Sequence, residues 1–261
     1  MNTTTVTSPF APETMVALVL LASRVGGVVL VAPFFSARMV PVTVRTAMVI
    51  LFTIVLHPAA RSVAGPRGIT PAAVLGETLI GLTIGLAAAL IIGAAEVAGE
   101  YISLQIGLSG AALLDPLSNN QSAVLGTFLQ LFAVTVLLTA GGHLVMLEAL
   151  ADSTQRLPLG SALTADTGLL DIVNLGGTLF AFGLRFAAPV IAVALVANVA
   201  LAVLSRAAPQ LNILQLAFPI QILVGLATLM AAIPFIGSWL MGWESSYSDL
   251  LTRALGALGA R

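Results

Sequence analysis

The residues best suited to chemistry in this 261-residue sequence are few and widely spaced. Ser109 lies in "GLSG" (Gly107–Gly110), a setting in which a serine serves as nucleophile when a histidine contacts it at ~3 Å. The only histidines are His57 and His143. His143 lies roughly 20 residues into the apolar segment that starts near Ala123, which at ~1.5 Å per residue separates it by ~30 Å from the end nearer Ser109. The pair forms only if that helix is broken. No proline breaks it, although Gly141 and Gly142 could bend it beside the histidine. Glu96 and Glu100 lie four apart on one helical face, as a proton or ion relay would require. The competing reading, which we prefer, places them at the membrane surface or paired with an arginine of this or another subunit. With no cysteine, two distant histidines and carboxylates that do not cluster, no metal site is expected. No phosphate-loop or dinucleotide fingerprint is present either. The chain is read as non-enzymatic and without a cofactor.

The elements that would carry these residues belong to a membrane protein. Hydrophobic residues make up 59% of the sequence and charged residues 8%, where a soluble domain carries about a quarter charged residues. The mean hydropathy is +1.08. All ten basic residues are arginine, and the formal net charge of -1 without a basic run argues against nucleic acid. The N-terminus lacks a basic start and a convincing cleavage site, and is expected to be retained.

Apolar stretches fall at about Met15–Phe35, Ala47–Leu56, Thr78–Ala95, Ala123–Leu147, Leu175–Leu204 and Ile213–Met241, and a spanning helix needs ~20 such residues. The second is too short and reads as half of a hairpin or a re-entrant piece. The polar stretch Asp152–Asp171 is the best boundary between a front part of four segments and a back part of two. The arginine distribution leans toward a cytoplasmic C-terminus. Trp239 and Trp243 read as an interface anchor ending the last span, and Leu250, Leu251, Ala254, Leu255 and Leu258 share one face of a short amphipathic tail.

Gly81, Gly85, Ala89 and Gly93 recur every fourth residue, a small-residue ridge that lets helix backbones approach closely. In "SRAAPQLNILQLAFP" (Ser205–Pro219), Arg206 suits the last turn of one helix and Pro209 stops it. Asn212 can cap the next helix, with Gln215 three residues on. Pro189 and Pro219 fall inside helices and free the carbonyls of Arg185 and Gln215. Together with Gln210 and the charges Arg24, Glu96, Glu100 and Arg185 within or beside apolar segments, they form polar defects that bare lipid does not tolerate. A partner subunit or an aqueous lumen is expected to cover them.

Four stretches, in order, resemble the FliR family of flagellar export-gate proteins, whose virulence-system relatives form the T component of type III secretion. They are Arg24–Arg45, Gly99–Val134, Gly141–Gly160 and Phe182–Gly225, with "APQLN" the most specific. The resemblance implies an all-α integral membrane protein of bent helical hairpins, wound with its partners into a helical, closed-ended export-gate assembly. Residues 1–171 would be a P-like part and 172–243 a Q-like hairpin, followed by a tail at 244–261. By position, residues 107–122 would form a channel plug. Leu108, Leu113 and Leu114 would supply apolar bulk beside Ser109, with Gly110, Asp115 and Pro116 shaping the turn. Leu108 stands where relatives often carry phenylalanine, and "SNN" replaces a more glycine-rich turn.

The implied function is structural: helping to form and close the channel through which unfolded export substrates leave the cytoplasm. The implied partners are FliP-like and FliQ-like membrane subunits, FlhB-like and FlhA-like export components, and the lipid of the bacterial inner membrane at the flagellar basal body. Two alternatives stay open on the residues: the T component of a virulence injectisome, and a small secondary transporter or ion channel using Arg24, Glu96, Glu100 and Arg185 as buried charges.

Overall fold

The fold is described from a computed structural model, over residues 11–36, 40–60, 69–108, 124–160, 168–208 and 213–258. Among these residues every regular element is helical. Helix α1 (Pro12–Val31) starts on a proline with Glu13 in its first turn, both favoured at a helix N-terminus. It stops at Ala32, which precedes Pro33 and is held extended. Helix α2 (Val42–Leu56) returns against α1, ending in a 3-10 turn, His57–Ala59. Phe35 and Phe52 meet edge to face at 5.7 Å, and Arg45 donates to the Ser36 carbonyl at 3.1 Å across the connection. At 15 residues, α2 is ~22 Å long and falls short of a ~30 Å hydrocarbon core. It is one arm of a hairpin.

Helix α3 (Pro71–Gln105) has 35 residues, well beyond the Thr78–Ala95 expected from hydropathy. Its glutamates lie within the helix instead of ending it. Thr70 caps the start by accepting the Ala73 N–H at 3.2 Å. At the far end Gly107 adopts φ +76°. There its N–H bonds the Leu104 carbonyl, and Leu108 N–H bonds that of Ser103 at 2.9 Å, a glycine-terminated helix end. The fourth apolar stretch is two helices, α4 (Val124–Thr139) and α5 (Gly142–Arg156). The break is Gly141, whose φ of +79° only glycine adopts readily. Helices α6 (Gly168–Ala207, with Pro189 inside) and α7 (Ile213–Met241, with Pro219 and Pro234 inside) are two long, consecutive apolar helices. Helix α8 (Trp243–Ala257) closes the order.

Among the described residues, four helices are long and apolar enough to cross a membrane, α1, α3 and the apolar lengths of α6 and α7, or five if α4 and α5 together make one bent span. The described residues group into two compact units of non-contiguous stretches. The first draws on Met1–Ala89, Gly141–Leu175 and Glu244–Arg261, the second on Leu90–Ala140 and Gly176–Trp243.

Within the first unit α1 and α3 meet backbone to backbone. A Cβ on Gly81 would collide with the Arg24 carbonyl, one on Gly27 would press on Thr78 and Leu82 backbone, and one on Gly85 would lie 3.0 Å from the Val28 carbonyl. Gly93 differs, meeting only the tip of the Leu179 side chain at 3.1 Å. The ridge is therefore strict at its start and permissive at its end. Within the second unit Gly99, outside the recognised ridge, abuts the Leu125–Gly126 backbone of α4. Replacing Gly81 by alanine should destabilise the chain by ~1–3 kcal/mol, the usual cost of overpacking, while Gly93→Ala stays within ~1 kcal/mol because a side chain can yield. Thermal unfolding of the two purified variants in one detergent measures the difference.

Candidate functional site

Arg24, in the middle of apolar α1, is fully buried, and the first unit closes around it. Its Nε donates to Oε2 of Glu77 on α3 at 2.6 Å, Nη1 to Oγ of Ser153 on α5 at 3.0 Å, and Nη2 to the Leu157 carbonyl at 2.9 Å. The second Glu77 oxygen accepts the Gly160 N–H at 2.8 Å, and the Ser153 hydroxyl donates onward to the Leu150 carbonyl at 2.7 Å. Arg24 and Glu77 are 0% and 1% exposed, so neither charge has water to fall back on. A buried pair adds little net stability, but removing one partner strands the other at a cost of ~3–5 kcal/mol. The bonds leave three segments, α1, α3 and the stretch Ser153–Gly160, only one mutual register.

Sequence spacing carried a signal for this pair. Glu77 stands one turn before Gly81 on the ridge and Arg24 one turn before Gly27, so the charges lie on the two faces that the glycines bring together. Ser153, Leu157 and Gly160 carried no comparable signal, since a hydroxyl and two backbone groups look like any loop.

The second unit holds polar groups of another kind. Gln130 on α4 donates to Glu96 on α3 at 2.8 Å, and Gln221 on α7 donates to Asn198 on α6. Both bonds are part-buried ones between helices. Of the four charges expected to be buried, Arg24 is enclosed and Glu96 is partly covered. Glu100 and Arg185 are not enclosed by the chain itself, and the cover expected for them would come from outside it. Both are exposed on the chain and make no ion pair among the described residues, because they lie on helix faces turned away from their own unit. Half-buried Trp239 meets Phe182 and Phe186 with ring centroids at 5.1 and 4.7 Å, the latter edge to face, and Trp243 is 2% exposed. The shared face of Leu250, Leu251, Ala254, Leu255 and Leu258 is buried within the first unit, so the amphipathic helix α8 is docked on its own chain. Tyr247 fastens it by donating to the Ile84 carbonyl at 3.3 Å, and burial pushes its phenol above the usual range, keeping the donor proton in place.

Of the expected plug residues, Leu108 ends the described part of α3's capping turn, and Gly107 just before it packs near Phe218 of α7, whose ring would lie 3.0 Å from a Cβ at that position. Ser109, Gly110, Leu113, Leu114, Asp115 and Pro116 lie outside the described residues, as do Pro209, Gln210 and Asn212 of the hairpin turn. Arg206 is exposed in the last turn of α6. Among the described residues no three His, Asp or Glu side chains converge to hold a metal ion. His143 Nδ1 is buried without a hydrogen-bond partner.

Apolar helices of spanning length, inlaid with polar pairs and locked by one buried ion pair, define a multi-pass helical membrane protein. The family model for bacterial export proteins, family 1, matches residues 15–243, and the chain belongs to this family, that of the FliR proteins. It is 34% identical over 244 residues to the flagellar biosynthetic protein FliR of Pectobacterium carotovorum subsp. carotovorum, covering 91% of this chain and 92% of the relative. The FliR proteins of Escherichia coli (strain K12) and Caulobacter vibrioides are 31% and 30% identical, each over about nine-tenths of both chains.

The buried pair makes a definite forecast. Arg24→Leu and Glu77→Leu should each cost ~3–5 kcal/mol, whereas the double replacement costs markedly less than the sum because no charge is left stranded. Denaturant or thermal unfolding of the three variants completes the cycle.

Proposed function

We propose that this chain is a structural subunit of the bacterial flagellar type III protein export gate, in the inner membrane at the flagellar base. In this reading it helps to form and close the channel for unfolded export substrates. The observation that carries the reading is the outer surface of the second unit. The apolar lengths of α6 and α7 are each only 22% buried, against 67% for α3, although they carry Asn198, Gln221, Pro189, Pro219 and the exposed Arg185. An unpaired guanidinium facing hydrocarbon is costly. A neighbouring subunit that buries this surface removes the cost, and the flagellar names of the relatives indicate the assembly that would supply one.

Residues 1–171 act in this reading as the P-like part, 172–243 as the Q-like hairpin, and Leu108 to Pro116 as part of the plug. FliP-like and FliQ-like subunits are the neighbours, with FlhB-like and FlhA-like components beside them. Gly81, Gly85 and Gly93 serve helix packing, and Arg206, Pro209, Gln210 and Asn212 the hairpin turn. The chain's own contribution is position and closure, with energy coming from other components.

Deleting residues 110–120 should raise ion leakage through the assembled gate in intact cells, and unchanged leakage would remove the plug from the account. Expressed in cells without FliP-like and FliQ-like subunits, the chain should accumulate to a lower level and be turned over faster, whereas co-expression with them should yield a stable complex that co-elutes on size-exclusion chromatography.

A further inference from the structure

The first unit carries a cleft that the channel reading does not use. Helices α5 and α8 lie side by side there and enclose about 180 Å³ between them. Its floor includes Tyr247 and Leu251, and its rim carries Glu148, Asp152 and Arg156 from α5 and Glu244 from α8. The four rim charges are exposed, and none makes an ion pair among the described residues. Three carboxylates against one guanidinium leave the rim acidic. Glu244 gains from the N-terminal turn of α8, but Glu148 and Asp152 are like charges four apart on one helix, an arrangement that by itself is unfavourable.

These features narrow the occupant. The volume is below the ~300–1,000 Å³ of a small-molecule or cofactor pocket and suits one or two side chains. Among the described residues no three carboxylates converge as a chelated cation requires. An acidic rim is repelled by an anionic bilayer surface, so the cleft is not a lipid contact. We propose that it docks a basic segment of another protein, an apolar side chain entering against Tyr247 and Leu251 while flanking arginines or lysines meet Glu148, Asp152 and Glu244. The surface lies on α5 and α8, two helices with charged outer faces. Such acidic rims act mainly by steering and by selecting partner charge, so binding should weaken with added salt.

The test uses the full chain in discs of neutral phosphatidylcholine and a fluorescent peptide with one leucine between arginines. Fluorescence anisotropy should show saturable, salt-sensitive binding, with a glutamate-for-arginine counterpart failing to bind. The variant Glu148→Lys with Asp152→Lys should weaken binding by roughly tenfold or more, as loss of paired interfacial charges does. Ser248→Trp, which fills the cleft from an exposed position without changing charge, should weaken it comparably. Equal binding by wild type and both variants, binding to empty discs alone, or no binding of the arginine peptide would each overturn the proposal.

Discussion

The buried ion pair between Arg24 and Glu77 is the constraint from which the first unit follows. A guanidinium in the middle of an apolar helix must find acceptors for its N–H groups, and here they come from a carboxylate on α3, a hydroxyl on α5 and a carbonyl just beyond it. To reach them the helices must come closer than ordinary side chains permit, which is why glycine occupies positions 27 and 81, next to the pair. Charge and glycine are thus one device. The close approach shortens the reach of Arg24, and the ion pair makes any other pairing of these faces strand a charge. The stretch Leu157–Gly160 is drawn in by its backbone, one carbonyl given to Arg24 and one N–H to Glu77. That backbone has no regular helix of its own to satisfy it.

The second unit solves the opposite problem. Its helices satisfy some polar groups between themselves, through Glu96 with Gln130 and Asn198 with Gln221, and leave others, Glu100 and Arg185, facing outward. The prolines inside α6 and α7 free further carbonyls on the same helices. The first unit thus satisfies its buried charge internally, while its helix α2 and the α6–α7 pair of the second unit both leave large apolar side chains exposed.

The membrane class and most segments were legible because hydropathy over ~20 residues is a strong, local signal. The short second segment read as half of a hairpin or a re-entrant piece because its length is too small to span, and the choice between the two came only from its packing against α1. The break at Gly141 was visible only as a possible bend, because paired glycines in a helix are tolerated as often as they interrupt it. Burial of individual charges was less legible. Arg24 and Arg185 look alike in sequence, each an arginine among aliphatic residues, yet one is enclosed and the other exposed. The difference lies in which helix face meets a partner segment 53 or 129 residues away. The docking of α8 was hidden for a related reason: an amphipathic face is the same whether it meets a bilayer or its own protein.

The clamp is tested most directly by amide hydrogen exchange on the full chain in detergent or discs, read over residues 157–160. If Arg24 and Glu77 hold this stretch, its amides, that of Gly160 above all, should exchange as slowly as those in the buried part of α3. Exchange at the rate of an open surface loop would contradict the account, since a Gly160 N–H free to meet water cannot be bound to a buried Glu77.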